Sequence, residues 1–296
     1  MDIVTRQRKP GDGEPNPAPQ VVAEVAEVRA RRWQEPSLSW GLVPTMGYLH
    51  AGHLSLVRQA RQENDRVGVS IFVNPTQFND ARDLARYPRN LERDLALLQA
   101  EGVDLVWAPP PEIVYPSGYQ TYVAVEEITQ PLEGSARPGH FRGVATVVAK
   151  LFNVFQPQRA YFGQKDAQQV AVIRRMVTDL NFNLEVVVCP TTREPDGLAM
   201  SSRNANLSPE ARRQATCLYQ ALTAAQQAFQ TGERSAQNLR ELMRRVISSA
   251  SLATVDYISV ADRDSLQELD IIEKGALLSM AVFVGGVRLI DNLVLG

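Results

Sequence analysis

Leu42-Val43-Pro44-Thr45-Met46-Gly47-Tyr48-Leu49-His50-Ala51-Gly52-His53 is the stretch from which the rest of the chain is understood. It opens on an apolar run, breaks at Pro44, turns on Gly47 and delivers two histidines three residues apart. Leu54-Ser55-Leu56-Val57-Arg58-Gln59-Ala60 then reads as a helix, so the order is strand, glycine-bearing loop, helix. The first turn of a helix offers free backbone N–H groups and the positive end of its dipole, both of which attract anions. A spacing of three places two side chains on one side of a helical turn. Two imidazoles and several backbone donors are thus placed to converge on one anion, above all a phosphate chain. Polar loop surface is the bland alternative for the same histidines. Zinc ligation would need distant partners, because the chain holds three histidines, the third being His140, and two cysteines, Cys189 and Cys217.

Outward from this stretch the chain alternates. Lys9 to Gln20 is rich in Pro and Gly and reads as a flexible tail. Val21 to Trp33 has the spacing of an amphipathic helix. Arg66 to Val73 is apolar on both faces, the pattern of a parallel strand buried between helix layers, and Asn74-Pro75 stops it. Helices are predicted over Leu91–Gly102, Gly143–Phe155 and Ala167–Leu180, and strands over Val103–Trp107, Tyr122–Val125, Ala160–Phe162 and Leu184–Val188. Strands alternating with helices imply a parallel α/β sheet. Beyond Thr191 the character changes. Ser208-Pro209-Glu210 is a helix start for a helix running to about Gln230. A second helix follows over Ala236–Ser249, then strands near Asp256–Val260, Leu277–Val284 and Val287–Ile290. The expected organisation is a tail over 1–20, an α/β domain over 21–191 and a smaller α+β domain over 192–296.

A length of 296 residues with 44% apolar and 22% charged residues suits a protein with real cores. A net charge of −2 gives no strong overall field for nucleic acid. The sequence lacks an apolar run of membrane-spanning length, and Met1 to Arg6 lacks a signal-peptide apolar region. With two cysteines far apart, a reducing cytoplasm is the expected location.

Ligands of open α/β sheets sit beyond the carboxyl ends of the strands. Three polar clusters occupy such ends: the histidine loop, Asn74-Pro75-Thr76-Gln77-Phe78 and Gly163-Gln164-Lys165-Asp166. A fourth, Met200-Ser201-Ser202-Arg203-Asn204, lies at the domain junction.

The H-x-G-H pattern after a strand and a glycine turn resembles the signature of the nucleotidyl-transferring superfamily that includes class I aminoacyl-tRNA synthetases. The longer string from Val43 to His53 resembles the pantothenate synthetase (pantoate–β-alanine ligase) family. So do Val69 to Phe78, Tyr87-Pro88-Arg89, the run Arg137-Pro138-Gly139-His140-Phe141-Arg142-Gly143-Val144, and Lys165 to Gln169. Met200 to Asn204 resembles that family's form of the synthetase KMSKS loop. The departures are Gln164, where an acid is frequent, Thr192, where valine is common, and a longer N-terminal tail.

The resemblance implies a Rossmann-like parallel sheet with helices on both faces and a smaller C-terminal α+β domain closing over the ATP site. It implies condensation of pantoate with β-alanine through pantoyl adenylate, with release of AMP and pyrophosphate. ATP is then a substrate, Mg²⁺ accompanies it, and the protein is a homodimer joined through the α/β domain. By the same resemblance, Met46, Gly47, Tyr48, Leu49, His50, Ala51, Gly52 and His53 cradle the phosphates, with His50 and His53 as donors. Lys165, Ser201, Ser202 and Arg203 supply charge and closure. Gly163 and Asp166 hold the ribose, Gln164 between them belongs to the ATP site, Thr192 and Met200 flank adenine, and Gln77 and Gln169 bind pantoate and β-alanine. Asp94 is the candidate metal ligand, its alternative being an exposed helix residue. Two other functions use the same motif: a nucleotidyltransferase moving AMP onto a phosphate-bearing small molecule, and a noncatalytic nucleotide- or RNA-binding module.

Overall fold

A computed structural model describes residues 15–79 and 81–296 of the chain. In the first part, strands β1 (Gln20–Val22), β2 (Trp40–Thr45), β3 (Arg66–Ile71), β4 (Leu105–Trp107), β5 (Arg159–Gly163) and β6 (Glu185–Cys189) form one sheet. Its order is β1-β4-β3-β2-β5-β6, and every pairing is parallel. The helices between them are α1 (Val25–Trp33), α2 (Ala51–Glu63), α3 (Ala81–Arg86), α4 (Leu91–Ala100), α5 (Pro111–Val114), α6 (Glu133–Ala136), α7 (His140–Phe155) and α8 (Ala167–Asp179).

Both faces of the sheet are covered, as its continuous apolar strands require. Trp40 and Leu42 of β2 pack with Val28, Phe152 and Ile173 on one face. Val43 and the β3 residues Val67 and Val69 pack with Val57 and Leu98 on the other. Helix α7 is apolar nearly all round and is correspondingly buried from Phe141 to Phe155. It lies against the turn after β3, where a Cβ on Gly143 would stand 2.4 Å from the Thr76 carbonyl oxygen.

The second part holds α9 (Pro209–Gln214), α10 (Cys217–Gln230), α11 (Ala236–Ser248), β7 (Ala253–Ala261), β8 (Ala276–Val284) and β9 (Val287–Leu295). The three strands pair antiparallel in the order β7-β8-β9. Leu218, Leu222, Leu239, Met243, Met280 and Val282 close a core of their own. An ion pair ties the two parts: Arg288 of β9 forks onto Glu133 at 2.8 and 2.7 Å.

The α/β sheet with a smaller C-terminal α+β part agrees with the sequence reading, and four details differ. Gln20 belongs to neither tail nor helix: Gln20, Val21 and Val22 pair with β4, so α1 starts only at Val25. The expected tail otherwise lies largely outside the described residues, and Asn16 accepts from Gln99 and donates to the Ala100 carbonyl. Tyr122–Val125 is not a strand. Its alternating valines, Val123 and Val125, pack on the core, and the Val123 N–H donates to Thr146 Oγ1 of α7 at 2.9 Å. The helix expected from Ser208 to Gln230 breaks between Gln214 and Cys217, where the Thr216 hydroxyl donates to the Arg213 carbonyl and competes with the helical ladder. Helix α7 begins three residues before Gly143, at His140.

Candidate active site

Strand β2 is where the chain's path across the sheet reverses: β3 and β4 lie on one side of it, β5 and β6 on the other. A crevice outside the carboxyl ends at such a point is the ordinary ligand site of an open α/β sheet. The histidine loop leaves β2 and the Lys165 turn leaves the neighbouring β5, so the two meet there.

Leaving β2 takes a tight reversal. Gly47 and Tyr48 both adopt left-handed backbone, with φ of 78° and 51°. A Cβ on Gly47 would stand 3.0 Å from Ile71 Cγ2. The Thr45 hydroxyl accepts from the Gly47 N–H at 3.2 Å and donates to the Ser70 carbonyl at 2.7 Å. Asp94 fixes the rest: Oδ2 accepts from the Tyr48 N–H at 2.7 Å and Oδ1 from the Leu49 N–H at 2.8 Å. Asp94 is 1% exposed, and the Arg93 guanidinium lies 5.4 Å from the centre of the Tyr48 ring. The burial corrects the alternative reading of Asp94 as an exposed helix residue; both its oxygens accept backbone N–H groups, and Arg93 Nη1 lies 3.5 Å from Oδ1. Among the described residues there is no group of three His, Cys, Asp or Glu that could hold a metal. Mg²⁺ needs no such cage when it arrives on phosphates, and Asp166 is a carboxylate lining the cleft.

His50 is the N-cap of α2. Its Nδ1 accepts from the Gly52 N–H at 3.1 Å, and His53 Nδ1 accepts from the His50 N–H at 3.3 Å. An imidazole nitrogen that accepts carries no proton, so each neutral ring bears its hydrogen on Nε2. The ring centroids are 4.1 Å apart. Burial, first, and then the Lys165 charge push His50 down to about 4. Burial and then the neighbouring His50 push His53 down to about 3. Near neutral pH both are therefore uncharged Nε2–H donors.

The second cluster follows β3. Asn74 Nδ2 donates to Gln77 Oε1 and to the Gly143 carbonyl, each at 3.1 Å, while Tyr115 donates to Asn74 Oδ1 at 2.9 Å. The Gln77 amide nitrogen lies 3.0 Å from Met46 Sδ, which joins this cluster to the histidine loop. The sequence reading named no role for two further residues lining the cleft, Arg137 and His140. His140 Nδ1 donates to the Gln77 carbonyl at 2.8 Å, its Nε2 lies 3.2 Å from Arg137 Nη1, and Arg137 Nη2 donates to the same carbonyl at 3.3 Å. Burial, aided by the Arg137 charge, lowers His140 to about 4. The only signal for this pair was the Arg-Pro-Gly-His run ahead of a buried helix.

The third and fourth clusters complete the cleft. Gly163, Lys165, Asp166 and Gln169 line it, whereas the neighbouring Gln168 is buried and holds the Glu133 N–H and the Ile128 and Pro131 carbonyls. Lys165 Nζ is 3.5 Å from Asp166 Oδ1. Thr192, Met200, Ser201, Ser202 and Arg203 also line it. The Ser55 hydroxyl donates to the Gly52 carbonyl, so Thr192 Oγ1, 3.1 Å away, is the donor to Ser55. Ser201 caps the short turn Ser202–Asn206. Of the histidine-loop residues expected at ATP, Met46, His50, Gly52 and His53 line the cleft. Gly47, Tyr48, Leu49 and Ala51 do not, and neither does Gln164: Leu49 is core, and the Gln164 amide donates to Asn292 instead.

Fold and cleft define an α/β protein of the open parallel-sheet class, with a cleft at the carboxyl ends of its strands lined by two imidazoles, a lysine and the amides of Gln77 and Gln169. Residues 20–294 match the model of the family described as pantoate-beta-alanine ligase. The pantothenate synthetase of Roseiflexus sp. (strain RS-1) is 61% identical over 275 residues, covering 93% of this chain and 99% of that one. That of Herpetosiphon aurantiacus is 59% identical over 279 residues, covering 93% and 100%. The solved pantothenate synthetase of Thermus thermophilus superposes with a TM-score of 0.88 at 50% identity, covering 93% of this chain and 98% of that one. The pantoate–β-alanine ligase of Francisella tularensis, solved with β,γ-ATP and β-alanine, gives 0.77 at 38% identity, covering 93% and 97%. The chain belongs to the pantoate–β-alanine ligase family.

Proposed function

We propose that the cleft joins pantoate to β-alanine in two steps and that the four clusters divide the work. One observation carries the reading: His50, His53 and Lys165 converge from adjacent strands on a cleft also lined by the uncharged amides Gln77 and Gln169. A carboxylate is a poor acylating agent, so activation comes first. The pantoate carboxylate oxygen attacks the α-phosphorus of ATP, the bond to the bridging oxygen of the β-phosphate breaks, and pyrophosphate leaves. The β-alanine amine then attacks the acyl carbon and AMP departs with the shared oxygen. Phosphoryl transfer needs alignment and charge stabilisation more than covalent help.

His50 and His53 direct Nε2–H at the departing phosphates and Lys165 adds a fixed charge. Ser201, Ser202 and Arg203 close over the outer phosphates. Gly163 and Asp166 face the ribose, with Thr192 and Met200 at adenine. Gln77 and Gln169 take pantoate, and Arg137 with His140 holds the Gln77 main chain in place. Mg²⁺ carried on the ATP phosphates would neutralise their charge when bound, and Asp166, which lines the cleft, is the carboxylate that would face it. Residues 192–296 form the unit that closes over ATP. The protein works as a homodimer through its α/β unit, in the cytoplasm; the described residues contain no helix long and apolar enough to cross a membrane.

A coupled AMP-release assay with each substrate omitted in turn tests this function. AMP should form in quantity only with ATP, pantoate and β-alanine together. AMP transfer to a phosphate-bearing acceptor in place of β-alanine would favour the nucleotidyltransferase instead.

A further inference from the structure

Lys165 reaches the cleft from the three-residue turn Gln164–Asp166 between β5 and α8. A lysine is a point charge on a long flexible stem, so its placement depends on the main chain that carries it. That main chain is gripped from the other sheet. Asn292 of β9 donates from Nδ2 to the Gln164 carbonyl at 2.9 Å and to the Lys165 carbonyl at 2.7 Å. Its Oδ1 accepts from Gln164 Nε2 at 3.1 Å. Asn292 is 4% exposed, and a buried amide with both ends of its side chain engaged sets its neighbours rigidly.

Asn292 is itself held. Its N–H donates to Asp291 Oδ1 at 2.8 Å, and its carbonyl accepts from Arg193 Nη2 at 3.3 Å. Arg193 forks onto Asp291 at 2.6 and 3.0 Å, a planar two-point pairing that fixes orientation. Arg193 directly follows Thr192 on the cleft wall. One strand of the C-terminal sheet thus anchors both the lysine turn and the segment that carries Thr192.

We infer that Asn292 is a positioning residue for Lys165: by holding the Gln164 and Lys165 carbonyls it sets where the lysine charge stands during adenylate formation. This rests on the phosphate role proposed for Lys165. A misplacement of about 1 Å can cost about 10²-fold in rate, so the effect falls on turnover in the first step rather than on folding alone.

The test is pyrophosphate exchange into ATP, with ATP and pantoate saturating, in Asn292→Ala, Lys165→Ala and the double variant, beside their melting curves. Asn292→Ala should slow exchange by roughly 10- to 100-fold, and adding it to Lys165→Ala should slow exchange no further. A purely structural role would multiply the two losses, and that result, or near-normal exchange in Asn292→Ala, overturns the inference. Normal exchange in Lys165→Ala would instead remove the lysine role on which it rests. Should Asn292→Ala not fold, Asn292→Ser, which keeps one donor, takes its place in the cycle, and the same outcomes support or overturn the inference.

Discussion

His53 Nδ1 accepts the backbone N–H of His50 at 3.3 Å, and that contact fixes which edge of the ring faces the cleft. His50 makes the matching bond to Gly52. The two imidazoles are held as a neutral pair of donors by the same backbone groups that begin helix α2. His50→Ala and His53→Ala should each lose about 10²- to 10³-fold in turnover, the usual cost of one preorganised donor. Steady-state AMP release is the measurement, and near-full turnover in both variants with intact melting curves would reject the donor role.

Acid should destabilise the protein through its histidines. His50, His53 and His140 are depressed to about 4, 3 and 4, while the unfolded chain titrates near about 6.5. Between those values the unfolded state binds more protons, so stability falls as pH drops from about 6.5 toward the folded values. Urea unfolding midpoints measured from pH 7 to pH 4 should decline through this window, and His53→Asn should show a shallower decline. Midpoints that are flat or rise on acidification would contradict the buried neutral assignment.

Asp94→Asn should disturb the histidine loop. The amide turns one donor toward a backbone donor, so either the Tyr48 or the Leu49 N–H loses its acceptor. A buried unsatisfied group costs about 1–3 kcal/mol, and the melting temperature should fall together with turnover. Saturating Mg²⁺ should restore neither. Recovery of activity on raising Mg²⁺ would return Asp94 to the role of metal ligand.

Gln77→Ala should raise the KM for pantoate more than the KM for ATP. Gln77 follows β3, a strand away from the histidines, and its amide is set by Asn74 and by its contact with Met46. Equal changes for both substrates would place it in a different subsite.

Local chemistry made much of this legible. The strand-loop-helix order around His50, the apolar run of β3 and the helix start at Ser208 each depend on neighbours in sequence. What escaped depends on contacts across the chain. The spacing of the Leu91–Gly102 helix puts Leu91 on one face with Leu95 and Leu98, yet Leu91 is 44% exposed and Asp94 is 1% exposed, because the helix turns a carboxylate toward the left-handed loop at Gly47 and Tyr48. Val21 and Val22 fit a helical spacing and were claimed by an edge strand. The Arg137–His140 clamp joins residues about sixty positions from Gln77, and Asn292 lies more than a hundred from Lys165. Such pairings have no local signature.

In the proposed reaction the acyl group is activated on AMP and never on the protein. The cysteines support this: both are buried, and burial pushes the thiols of Cys189 and Cys217 up to about 11, far from a reactive thiolate. The decisive measurement follows carboxyl oxygen from [¹⁸O]pantoate through a complete turnover with ATP and β-alanine. One labelled oxygen should appear in the phosphate of AMP, because it bridged acyl carbon and phosphorus in the intermediate. AMP free of label would show that pantoate reaches β-alanine by another route and would contradict the adenylate mechanism.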